Sequence, residues 1–150
     1  MANFNRLLSL ASLLISLQVF AFDKNLPNTP KKYQHDMLGA ADTKNVGLIV
    51  VACTACHSFK KGEPNFGGPS GKVYVGPNLF GVVGREIASL KGYNYSRAFK
   101  KLKGKSWTVE ELDKFLKRPT SYVPGTLMRF NGLLDPQDRM DVIAYLMTIK

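Results

Sequence analysis

Cysteine is scarce: the 150 residues contain two, too few for a disulfide scaffold. Histidine is as rare, also with two, so a four-ligand zinc site would have to bring His35 to Cys53, Cys56 and His57. Acids are outnumbered, with 11 Asp+Glu against 21 Lys+Arg leaving a formal charge of +10. That surface attracts acidic partners without saying which. No apolar run reaches the roughly 20 residues that a helix needs to cross hydrocarbon. Strand-like alternation of useful length and internal repeats are both missing. Eight prolines and 13 glycines are too few for a fibrous repeat, while 45% apolar residues exclude global disorder. The length suits one domain with a real core.

The amino terminus has the order of a secretory signal. A short region carrying Arg6 precedes the serine-seeded apolar stretch Leu7 to Phe20, and Val19-Phe20-Ala21 offers a cleavage site before Phe22. Residues 1–21 are therefore expected to be a cleaved export signal and residues 22–41, rich in Pro, Asn and Lys, a lead-in. The domain proper occupies 42–150, and the expected location is the periplasm. If the signal stays uncut, the lead-in becomes a membrane tether.

Three stretches read as helices. Asp42 to Ala52 runs straight into the cysteine pair, with Asp42 as a candidate cap. Thr108 and Glu111 form a capping box for a helix through Lys117, closed by Pro119. Asp135-Pro136 starts a last helix with Asp138 in its first turn, and Met140, Ile143, Ala144 and Met147 repeat at helical spacing along it. Residues 58–95 hold most of the glycines, a composition that describes long loops wrapped around a bound group. The fold class is all-α, with three to five short helices around an irregular middle.

Cys53-Thr54-Ala55-Cys56-His57 carries the chemistry. Two cysteines three apart at a helix end suit thioether bonds to the two vinyl groups of a haem, with the adjacent histidine under the iron. A thioredoxin-like pair would need a βαβ setting, which the pattern does not offer. One histidine leaves the sixth iron position to be filled. Met128, in the Pro-Gly loop 122–128, supplies a soft neutral thioether suited to that place and to a raised potential. Met140 and Met147 are better explained as core residues. Two rival readings stay open at this point: a peroxidase-like haem protein with an open sixth site, and a thiol–disulfide oxidoreductase using Cys53 and Cys56.

With CTACH (53–57), GPNLFGVVGR (76–85), GYNYS (92–96), Trp107, YVPGTLM (122–128), Phe130 and DRMDVIAYL (138–146) in this order, residues 42–149 resemble a class I cytochrome c. The nearest kinds are the mitochondrial type and bacterial cytochrome c2. The resemblance implies a monomeric carrier of single electrons and not an enzyme, with one haem c on Cys53 and Cys56 and iron ligands His57 and Met128. Pro77 would accept the His57 ring N–H. Arg85, Tyr95, Ser96 and Trp107 would bond the propionates, and Phe130 would shield the Met side. The implied partners are redox proteins, such as a bc1-type donor and a terminal oxidase or photosynthetic reaction centre as acceptor. Neither nucleic acid nor a small-molecule substrate is implied. Leu79, Leu116 and Val142 would pack the pocket or helices, with Tyr145 on the seam between first and last helices.

Two departures stand out. Phe115 replaces a tyrosine that in relatives often donates to the methionine sulfur, and the lost donor and drier pocket push the potential in opposite directions. The lysines that ring the haem edge of relatives are replaced by Ala52, Thr120, Ser121, Leu127 and Leu134, with Arg129 the main nearby cation. Positive charge is concentrated instead in residues 97–118, which net five charges. The basic run contains few stacking aromatics, namely Phe99, Trp107 and Phe115, which puts nucleic acid last. Residues 58–75 read as an insertion without a role.

Overall fold

The computed structural model describes residues 43–65, 68 and 71–150. The expected signal, the lead-in and the Asp42 cap lie outside them. Five helices follow in order: α1 (Thr43–Thr54), α2 (Arg97–Lys100), α3 (Val109–Lys117), α4 (Pro119–Tyr122) and α5 (Pro136–Thr148). Among the described residues there is no strand, only an isolated antiparallel bridge between Glu86 and Ser106.

The β-branched run in α1 has modest intrinsic helix preference, so packing stabilises it. Val46 and Val50, one turn apart, are buried in the core that also takes Val142, Ile143, Leu146 and Met147 of α5. These first and last helices pack together, and Tyr145 on α5 meets Phe59 with ring centroids 5.9 Å apart. The opposite face of α1 leaves Leu48 and Val51 exposed.

Helix α3 begins as its sequence indicates, with Thr108 Oγ1 accepting from the Glu111 N–H at 3.1 Å. The return half of the capping box is diverted: the Glu111 carboxylate accepts from the Tyr122 hydroxyl, and the Thr108 N–H donates to Ser106. Glu110 and Glu111 in the first turn and Lys114 and Lys117 in the last complement the helix dipole. Val109, Leu112, Phe115 and Leu116 form its buried face, worth at most about 6–12 kcal/mol by transfer free energy. Pro119 does more than close α3, because it opens the single turn of α4.

Helix α5 is capped by Asp135, whose Oδ1 accepts from the Gln137 N–H at 2.8 Å. Arg139 on this helix is buried. Its Nε donates to Asp113 Oδ1 at 2.6 Å, and Nη1 donates to the Leu133 and Leu134 carbonyls at 2.8 and 2.9 Å. One guanidinium thus ties α3, α5 and the end of the loop carrying Met128.

Candidate haem site

Helix α1 delivers the cysteine motif. Past its last turn, the N–H groups of Cys56 and His57 donate to the Cys53 carbonyl at 3.1 and 3.0 Å, so both thiols and the histidine leave one turn of backbone. Cys53 is half-buried and Cys56 exposed, and neither is in a disulfide. Burial, and then the nearby Cys56, push the Cys53 thiol above its ordinary value. A thiol–disulfide catalyst needs the reverse, a thiol whose pKa is lowered toward thiolate at neutral pH.

His57 is buried, and its Nδ1 donates to the Pro77 carbonyl at 2.7 Å. That leaves Nε2 as the nitrogen with a lone pair to offer. Burial lowers the ring's pKa, and the Pro77 hydrogen bond only partly opposes this, so the imidazole stays neutral, the form that binds metal. The backbone of Gly76 lies flat against the ring: a Cβ there would fall 2.6 Å from Nδ1 and 2.7 Å from Nε2. Gly76 is held from both sides, its N–H donating to the Cys56 carbonyl at 2.8 Å and its carbonyl accepting from the Asn65 side chain. A neutral imidazole with one nitrogen fixed and two adjacent thiols fits covalent haem.

The other expected contacts lie across the aromatic core. Trp107 is buried against Phe115, with centroids 5.1 Å apart, and Phe99 at 6.2 Å. Phe115 also meets Tyr122 edge-on at 6.0 Å. Half-buried Arg85 donates Nη1 to the Phe80 carbonyl at 3.2 Å and Nη2 to that of Asn78 at 2.9 Å, leaving donors for an acidic group. Burial lowers the Arg85 pKa and raises that of Tyr95, and the two act on each other as neighbours. Ser96 Oγ accepts from the Phe99 N–H at 3.3 Å as the cap of α2; its hydroxyl proton stays available. Met128 packs half-buried on the core, with its N–H on Thr126 Oγ1 at 3.2 Å.

Phe130 is half-buried. It lines a cavity of about 520 Å³ with Arg118, Ser121, Arg129 and Leu134, whose lining contains neither cysteine nor His57. The sequence reading missed a buried polar group beside His57, formed by Ser58, Glu63 and Asn78. Within residues 60–64 only Glu63 is buried, by its contacts with Ser58 and Asn78.

Two cysteines and a neutral, carbonyl-anchored histidine on one turn, inside a small helical frame with an aromatic wall, define a protein that attaches haem covalently. The Cytochrome c family profile matches residues 47–150, and the chain belongs to that family. Its members bind haem c through two cysteines, here Cys53 and Cys56. A cytochrome c homolog of Bradyrhizobium diazoefficiens is 41% identical over 73% of this chain, which spans 55% of that relative's length. Cytochrome c of Cochliobolus lunatus is 40% identical over 69% of this chain and 87% of its own. The solved structure of cytochrome cH from Methylobacterium extorquens is similar with a TM-score of 0.59 and 38% identity, covering 71% of this chain and 98% of that one.

Proposed function

We propose that the protein is a single-haem electron carrier, monomeric and exported to the periplasm, that transforms no substrate. The observation that carries this reading is the buried, neutral His57, fixed through Nδ1 at 2.7 Å from the Pro77 carbonyl on the turn that holds both cysteines. The haem c supplies a one-electron ferric/ferrous couple when bound. His57, through Nε2, and Met128, through its thioether, would hold its iron. Arg85, Tyr95, Ser96 and Trp107 would bond the propionates, which are costly to bury unpaired, and Phe130 would exclude water on the Met128 side. Among the described residues, no helix is long and apolar enough to cross a membrane.

Ala52, Thr120, Ser121, Leu127 and Leu134 are exposed, as is every basic side chain of 97–118. This supports docking through a lysine-poor edge, with the off-centre basic patch steering the approach of an acidic partner. Donors of the bc1 type and acceptors such as an oxidase or reaction centre suit that surface. Reaction with such a partner is expected to depend less on salt than that of a lysine-ringed relative, and an equal or steeper slope would count against the lysine-poor edge.

Optical spectra of the ferric and ferrous protein test the core of the proposal. A c-type reduced spectrum with the weak sulfur-to-iron band beyond the visible is expected. The same spectrum without that band, together with rapid binding of cyanide, would favour the open-site enzyme.

A further inference from the structure

Glu63 and Ser58 are only 8% and 3% exposed. A carboxylate in such a place is costly unless hydrogen-bonded, and the Glu63 carboxylate accepts from the Ser58 hydroxyl. Ser58 Oγ in turn accepts from the Lys60 N–H at 3.2 Å. Asn78 closes the group: its Nδ2 donates to the Lys60 and Glu63 carbonyls, both at 2.8 Å, while its Oδ1 accepts from the Phe80 N–H at 2.8 Å. The Ser58 carbonyl accepts from the Leu79 N–H, also at 2.8 Å.

The positions matter as much as the contacts. Ser58 directly follows His57, and Asn78 directly follows Pro77. Glu63 therefore joins, by side chain and by backbone, the residue next to His57 and the residue next to its acceptor. The result is a closed ring of hydrogen bonds with the His57–Pro77 bond as one member. An exposed glutamate would contribute nothing to that geometry.

We propose that Glu63 is a positioning residue: through Ser58 and Asn78 it holds the Pro77 carbonyl on His57 Nδ1 and thereby sets how strongly His57 donates to the haem iron. This rests on His57 binding the iron. A firm Nδ1–H···O=C bond makes the imidazole a stronger donor and favours ferric iron, so loosening it raises the midpoint potential.

The test uses the haem-loaded protein with Glu63→Gln, Ser58→Ala and the double variant. Both single changes are expected to raise the midpoint, and the double to raise it no further than the larger single. The His57 Nδ1–H, followed by NMR, is expected to exchange about fivefold faster in each, the loss of one hydrogen bond's worth of hold. A rise in Glu63→Gln alone would reduce the residue to a nearby charge and overturn the positioning role. Unchanged midpoints and exchange rates with intact spectra would overturn it as well, whatever happens to the melting temperature. Should the variants not accumulate, the wild-type protein decides: fast exchange of the Asn78 side-chain amide shows that the ring is not closed. A wild-type spectrum without histidine ligation would sink the reading of His57 itself, a different failure from unmoved variants.

Discussion

Gly76→Ala is the sharpest perturbation of the site. The new methyl carbon would sit 2.6 Å from Nδ1 and 2.7 Å from Nε2 of His57, about 1 Å inside ordinary contact distance. Two routes relieve the overlap. The ring can swing away, which breaks its 2.7 Å bond to Pro77, or residue 76 can retreat, which breaks its links to Cys56 and Asn65. Overpacking costs about 1–3 kcal/mol and the forfeited bond about 1 kcal/mol more. A loss of roughly 3 kcal/mol lowers the melting temperature of a domain this size by about 12–24 °C. The assay is thermal unfolding of the haem-loaded protein followed by circular dichroism. Gly47→Ala in α1 is the control, since its Cβ meets nothing within 4 Å, and alanine there should stabilise the helix by up to about 1 kcal/mol. A Gly76→Ala protein that melts within about 3 °C of wild type, with an unchanged spectrum, would refute the close approach and the rigidity argued from it.

Two more outcomes are expected. Arg139→Met leaves Asp113 and the Leu133 and Leu134 carbonyls without their shared donor and should cost about 3 kcal/mol, read as a shifted denaturant midpoint; a change below about 1 kcal/mol would show the pair to be dispensable. Burial raises the pKa of both Tyr93 and Tyr95 above the ordinary 10.0. The unfolded chain therefore loses these protons first, and stability is full below pH 10 and falls as pH rises through it. Ultraviolet titration of tyrosinate should show two late-ionising groups, and Tyr93→Phe should make the alkaline decline shallower.

What could be read from sequence was what neighbours along the chain decide. The Thr108 cap, the Asp135-Pro136 start and the cysteine motif depend on residues two to four apart, and the structure places all three as expected. Helices α2 and α4 span four residues each, too short for periodicity to register, although Ser96 and Pro119 are start signals in hindsight. Glu111 belongs to a capping box by spacing, yet its carboxylate turns to Tyr122, eleven residues away. Glu63 falls in the stretch that reads as an insertion without a role, because the amide that helps bury it comes from Asn78, fifteen residues on.

The loop that carries Met128 begins and ends at one place. Val123 is held by the Pro119 carbonyl at 2.9 Å, and Leu133 by that of Leu116 at 2.8 Å. Gly132 lies so close to Lys117 that a Cβ would come 2.8 Å from its carbonyl carbon, with φ at +98°. One foot therefore stands on the first residue of α4 and the other on the last turn of α3, beside the clasp formed by Arg139. A span closed at its base can lift away without dragging either foot, because the distance between its ends stays the same. Opening it sacrifices the contacts of Met128 and its neighbours and leaves the frame of α1, α3 and α5 intact. The loop around Met128 can thus open at the expense of its own contacts, whereas His57 is held by Pro77, and Gly76 against its ring is held by Cys56 and Asn65.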